Sequence, residues 1–528
     1  MCGLGPAGEP STLAWNIAAE KMHHDDPTGA EALDIAKEWI GKCLTSHEYC
    51  DAHGASPLPE RVLELTPDLI FLREYVKPPV QRYACLSHYW GPRGPAVQLK
   101  KETSASLRQG MPVDSLPKTF SDSVKVCLRL GISFLWIDAL CIYQDDLNDW
   151  EQAAATMASI YERAHITIAA ACARDSTDGL RPLAAIFKEK LVPSTGLCVR
   201  RHYRELTDQL NLSRNDFPLL WRAWVFQERS LSPRILYFSA CRLVWECRTV
   251  QHIESKARAH QWSYDHVILG LQSLTREPPD VIAAWQSAVE QFSRLGLTYG
   301  SDKLPSIAAL ASRMEQYRKQ DTYLGGLWWS SLLYDLQWVV FSHQARCNSN
   351  APTWSWASVN GEVQFERRGI EPYVLPSVTL LDVVYRSMSS AFVGRATEAR
   401  ISLEGHTSKV TRKGFASRHL DDPFELSNLN GLDIGIMSFT DIDPDTDSRS
   451  GSPDEDLIVF FLTKRTNLVC GYSGPILRKL HDNIFQRVGW LRASRPFGCP
   501  VLSSTDPDFW APLDAYMAKS PLEVVTIV

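Results

Sequence analysis

Long apolar runs are missing from this chain. No window of its 528 residues reaches 18 uninterrupted apolar positions, so no membrane span is expected. The first ten residues lack a basic stretch followed by an apolar one, which argues against a secretory signal. Positive charge is not in excess either. Lys and Arg number 55 against 61 Asp and Glu, for a formal net charge of −6, so no nucleic-acid partner is expected. The 13 cysteines are scattered and form no dense, even framework, which points to reduced thiols and a cytoplasmic protein. Internal repeats and a phosphate-binding P-loop are also lacking.

What is present is a globular composition, 45% hydrophobic and 22% charged, with length enough for several domains. Seventeen Trp suggest many aromatic anchors or pocket walls. Residues 1–28 read as a flexible tail and 29–82 as an N-terminal helical flank. Residues 83–255 read as a strand–helix alternation, 256–360 as a helical region and 361–528 as a β-rich C-terminal region. Trp328-Trp329 falls in the helical reading.

Within 83–255 the apolar runs at 83–87, 134–137 and 165–170 are nearly continuous. Strands buried on both faces look like this, so an α/β fold with a parallel sheet flanked by helices is expected. Between them Phe120, Val124, Cys127 and Leu128 mark a helix that Gly131 should stop. Trp150, Ala153, Met157, Ile160 and Tyr161 mark another, with Asn148 as its cap and Glu151 as the capping-box partner. A helix from Pro218 should carry Leu220, Trp221, Trp224 and Val225.

Several motifs offer chemistry. In Phe134-Leu-Trp-Ile-Asp-Ala-Leu-Cys-Ile-Tyr-Gln-Asp-Asp146, Asp138 sits where a buried strand emerges, the place where α/β folds build sites. His88, in Ser87-His88-Tyr89-Trp90-Gly91, is an acid/base candidate, and no G-x-S-x-G elbow surrounds Ser87. Glu228 lies four residues after Trp224, on the apolar stripe of its helix, where a carboxylate is either ion-paired or held in a cleft. Cys43, His47, Cys50 and His53 have zinc-ligating chemistry. All four fall in one short stretch, however, and structural zinc sites usually draw on two separated elements. Buried thiols with a capping histidine are the expectation, and no metal is assigned. Gly3-Leu-Gly-Pro-Ala-Gly8 has no strand before it and is not read as a dinucleotide fingerprint. The aspartates at 441, 443, 445 and 447 lack the Gly and Glu of a calcium loop.

Tyr83-Ala-Cys-Leu-Ser-His-Tyr-Trp-Gly91, Leu116-Pro-Lys-Thr119, Leu135-Trp-Ile-Asp-Ala-Leu-Cys-Ile-Tyr-Gln144 and Arg222-Ala-Trp-Val-Phe-Gln-Glu228 resemble, in order, the signature blocks of the fungal heterokaryon incompatibility (HET) domain. Trp39…Cys43…His47…Cys50, Ser301-Asp-Lys-Leu-Pro305, Tyr323-Leu-Gly-Gly-Leu-Trp328 and Pro352-Thr-Trp-Ser-Trp-Ala-Ser358 resemble flanks found in many family members. The resemblance implies nonself recognition with growth arrest or cell death. It also implies a core similar to flavodoxin-like Toll/interleukin-1 receptor (TIR) domains. Some TIR domains cleave NAD with a Glu four residues after a Trp, the spacing of Trp224 and Glu228. The candidate catalytic residues are Glu228, implied by that spacing, with His88 and Asp138 from the residue reading. The candidate substrate-binding residues are Ser87, Tyr89, Trp90, Gln144, Asp145, Arg222, Trp224 and Gln227. NAD enters as a substrate, with no resident cofactor expected. A small molecule and a second copy of the domain are the other partner classes. Two alternatives stand beside NAD cleavage: a biosynthetic enzyme acting by acid/base chemistry on an apolar small molecule, and a non-catalytic interaction module.

Overall fold

The structure is a computed structural model. It describes residues 26–47, 50, 55–180, 190–192, 197–199, 217–239, 243–254, 260–261, 280–340, 351–366, 373–388, 396–412, 424–426, 435–440, 456–464, 470–494 and 511–528. The Gly3–Gly8 motif, His53 and the aspartates at 441–447 lie outside the described residues, as does nearly all of the 1–28 tail. The chain forms two compact units. The first is residues 1–141, 163–212 and 233–262; the second is 142–162, 213–232 and 263–528.

The first unit is built on a mixed sheet. Eight of its ten strands, in chain order, are β1 (Arg61–Leu65), β2 (Leu69–Glu74), β3 (Ala84–Ser87), β4 (Phe134–Trp136), β5 (Ile166–Ala169), β6 (Arg234–Phe238), β7 (Leu243–Cys247) and β8 (Val250–Ile253). Across the sheet the order is β8-β7-β6-β5-β3-β4-β1-β2. The central strands β6, β5, β3 and β4 are parallel, as the apolar runs predict. Every residue of β3, β5 and β6 is buried, which fits strands covered on both faces. The expected parallel sheet carries antiparallel strands at both margins. The β1–β2 hairpin joins β4 antiparallel, and β7 and β8 continue from β6 antiparallel. Within the β1–β2, β6–β7 and β7–β8 pairs the connections are short, and antiparallel neighbours need only a short turn. The 61–74 segment, placed in a helical flank by the sequence reading, is therefore part of the sheet.

Helix α1 (Ala30–Ser46) buries Leu33, Ala36, Trp39, Ile40 and Cys43, an apolar stripe turned to the core. Helix α2 (Lys118–Arg129) ends as expected at Gly131, whose φ is +76°. The amide of Gly131 donates to the Leu128 carbonyl and that of Ile132 to the Cys127 carbonyl. This is a Schellman stop, and only glycine takes that backbone conformation without strain.

In the second unit, helix α3 begins at Leu147. Asp146, not Asn148, caps it, because its carboxylate accepts from the amides of Asn148 and Asp149 at 3.1 and 3.3 Å. The side chain of Glu151 lies outside the described ones. The helix expected from Pro218 is two pieces, a 3-10 turn at Pro218–Trp221 and helix α4 at Ala223–Leu231. Arg222 between them is extended. The Gly296 amide donates to the Trp221 carbonyl at 2.7 Å and the Ala223 amide to the Gly296 carbonyl at 3.0 Å, and this bridge breaks the helix.

Trp328 is not helical. Tyr323–Leu324 and Leu327–Trp328 form a tight hairpin around Gly325 and Gly326, both at positive φ, which is the backbone such a two-residue turn requires. The Gly325 carbonyl accepts from Ser355 Oγ at 2.6 Å. The Gly326 carbonyl accepts from the indoles of both Trp285 and Trp356 at 2.9 Å. The Gly-Gly motif and the Pro352–Ser358 motif are thus one packed unit. Trp285, Trp328, Trp338, Trp354, Trp356 and Trp490 are all fully buried, and Arg487 lies over the Trp338 ring at 3.4 Å. Much of the chain's Trp is therefore core. Beyond it, Thr379–Ser387, Ala396–Arg412, Leu457–Phe460, Cys470–His481, Ile484–Ser494 and Leu522–Ile527 build a largely antiparallel sheet, the β-rich region expected.

Candidate functional site

The parallel strands of the first unit end in loops that carry the sequence motifs. After β3 come His88, Tyr89 and Trp90; after β4 comes Asp138; after β5 comes the 170–180 loop. The carboxyl ends of such strands are where α/β folds place ligands. Asp138 opens a helical turn, Asp138–Cys141. Its Oδ1 accepts from the Ala139 amide at 2.7 Å, and its Oδ2 accepts from the Trp90 indole at 2.9 Å. His88 Nδ1 lies 3.7 Å from Asp138 Oδ1, too far for a hydrogen bond. The His88 ring stands edge-on to Phe120 of α2 at 5.0 Å. The His88 side chain is 1% exposed, whereas that of Asp138 keeps 22%. Asp138 is thus fixed from two sides and still touches solvent, while His88 is enclosed. Ser87 is also buried, and its hydroxyl has no hydrogen-bond partner among the described residues.

The Leu116–Thr119 block has a local duty. Thr119 Oγ1 accepts from the Gly179 amide at 3.1 Å, and the Thr119 amide donates to the Ser176 carbonyl at 2.9 Å. Asp122 Oδ2 accepts from the Leu180 amide at 3.1 Å, and its Oδ1 takes the Lys118 ammonium. The start of α2 therefore pins the 176–180 loop. Gly91, at φ +74°, passes close to Asp175, whose Cβ lies 2.6 Å from where a Gly91 Cβ would sit. These contacts hold the three loops at one end of the sheet.

The remaining motif residues belong to the second unit. Gln144 folds back to donate to the Ile142 carbonyl at 2.9 Å, and Asp145 is exposed. On α4, the Trp224 indole donates to Asp302 at 3.3 Å and meets Trp150 edge-on at 6.2 Å. Burial raises the Asp302 carboxyl above its ordinary pKa, opposed by that indole hydrogen bond. Arg222 forms the extended link before α4, and Gln227 is buried with its Oε1 accepting from the Ala309 amide at 3.3 Å. Glu228, one turn after Trp224, is 6% exposed. The structure so brings His88, Trp90 and Asp138 together in one unit, and Trp224, Gln227 and Glu228 onto one helix of the other. Asp302 was not singled out by sequence reading. Its place in the Ser301–Pro305 motif was the available signal.

One further cluster of ligating side chains is present. Cys43, His47, Cys50 and Cys247 of the first unit have their ligand atoms within 4.8 Å of one another. Cys247 lies 200 residues from His47, and no local spacing could have found it.

Residues 83–228 match the family model described as heterokaryon incompatibility protein (HET). This stretch is therefore a HET domain, running from Tyr83 of the first sequence block to Glu228 of the last, and it contributes to both units. It covers a little over a quarter of the chain. No curated protein and no solved structure matches. The match suggests a function related to heterokaryon incompatibility.

Proposed function

We propose that the chain is an effector of fungal nonself recognition whose HET domain, TIR-like in its core, cleaves NAD at the nicotinamide–ribose bond. The observation that carries this reading is the family match, which ends on Glu228. In the proposed step the glycosidic C–N bond breaks, its electrons leave with nicotinamide, and water adds to the anomeric carbon and gives up one proton to solvent. The Glu228 carboxylate accepts from the ribose hydroxyls and stabilises the positive charge that develops on the ring. Its low exposure suits a group that acts outside bulk water, where a fixed charge is worth more. Trp224, braced by Asp302 and Trp150, supplies an aromatic wall one turn away.

A second reading is favoured by the His88–Asp138 approach of 3.7 Å. A histidine facing a fixed carboxylate is a general acid/base arrangement, which would act on an apolar small molecule. Expression of the full chain in a fungal host separates the readings. Wild type should arrest growth and Glu228→Gln should not. His88→Gln should retain arrest if Glu228 carries the chemistry. Arrest at the wild-type level by both Glu228→Gln and His88→Gln would leave a non-catalytic interaction module as the account.

A further inference from the structure

The end of α1 and the end of β7 place four soft ligands around one point. Cys43 is in the last turns of α1, and His47 directly follows the helix. A turn closed by the Cys50 amide on the His47 carbonyl, at 3.2 Å, brings Cys50 back. Cys247 is the last residue of β7. Tetrahedral zinc with ordinary Zn–S and Zn–N bonds separates its ligand atoms by about 3.6–3.8 Å. Here His47 Nδ1 lies 3.4 Å from Cys247 Sγ and 3.9 Å from Cys50 Sγ. One ring nitrogen faces both sulfurs, as one metal-bound imidazole nitrogen would.

The surroundings suit thiolates. The Val250 amide donates to Cys247 Sγ at 3.4 Å, and the Thr249 hydroxyl lies 3.5 Å from Cys50 Sγ. Such outer donors orient metal-bound sulfurs.

From this geometry we propose that Cys43, His47, Cys50 and Cys247 form a structural zinc site. Four protein ligands close the coordination sphere, which marks a structural rather than a catalytic site. On binding, the thiols give up their remaining protons to solvent, and His47 enters as neutral imidazole through Nδ1. The metal clips α1 to the antiparallel margin of the sheet. Trp39, one turn before Cys43, already stacks on His252 of β8 at 5.7 Å and 5°. A clip between residues so far apart in sequence removes much loop freedom from the unfolded chain.

The test is metal content of the full chain purified without chelator. Wild type should carry about one zinc per chain, and Cys247→Ser and Cys43→Ser should fall below about a tenth of that. Cys172→Ser, outside the cluster, should keep it. Should the cluster variants aggregate, the reduced, metal-free wild type can be titrated with cobalt(II). A thiolate-to-cobalt charge-transfer band with intense tetrahedral d–d absorption, lost on adding zinc, supports the site. A reduced wild type that gives neither bound zinc nor a cobalt charge-transfer band overturns it. So does zinc content that Cys247→Ser leaves unchanged.

Discussion

Tryptophan and aspartate do different work at the strand ends of the first unit and in the core of the second. In the first, the Trp90 indole donates to Asp138, a carboxylate that still meets solvent. In the second, the indoles of Trp285 and Trp356 donate to a backbone carbonyl, and that of Trp338 to the Trp354 carbonyl, all inside the core. The buried carboxylate there, Asp335, accepts from Ser331 Oγ, the Trp328 amide and Gln286. Burial pushes its pKa up to about 6. The same residue types are thus recognition candidates at strand ends and fasteners in the core. Trp richness alone says nothing of a pocket, which removes one support from the small-molecule reading.

The contrast is broken most severely at Gly326. Its φ is +108°, and an added Cβ would lie 2.8 Å from the Trp356 indole nitrogen and 3.0 Å from Ser355 Oγ. Gly326→Ala should therefore cost about 4 kcal/mol, from backbone strain and overpacking together. Urea unfolding followed by Trp fluorescence measures it; an unmoved midpoint would mean that the hairpin does not organise the indoles.

Asp335 sharpens the comparison through pH. Its folded pKa lies above the ordinary aspartate value of 3.8, so folding favours the protonated form. The stability this gives is fully present below about pH 3.8 and is lost as pH rises through about 6, a change of about 3 kcal/mol. Asp335→Asn lacks this titration. Wild type should lose stability relative to the variant between pH 4 and neutrality, read as diverging thermal midpoints; parallel pH curves would contradict the assignment. The smallest effect belongs to Gly131→Ala in the first unit. No atom lies within 4 Å of the added Cβ, so only the positive φ is penalised, by about 1 kcal/mol.

Legibility followed how local the signal was. The parallel strands and α2 could be read because continuous apolar runs and the Gly131 stop are encoded within a few residues. Trp328 was misread because apolar spacing ignores what Gly325-Gly326 does to the backbone between two Trp-bearing segments. The margins of the sheet depend on which edge a hairpin joins, which apolar pattern does not state. For the site, the proximity of His88, Trp90 and Asp138 followed from strand ends and was foreseeable. Asp302 behind Trp224, and Cys247 beside His47, come from distant chain and have no local trace.

The central claim is that Glu228 carries chemistry on NAD. Its most direct measurement is nicotinamide released by the purified full chain incubated with NAD, resolved by chromatography, for wild type and Glu228→Ala at matched fold. Release by wild type that falls at least about a hundredfold in the variant is the predicted result, the scale of removing a transition-state charge partner. A folded wild type that releases no nicotinamide at high protein concentration, or a variant that releases it equally fast, would contradict the account.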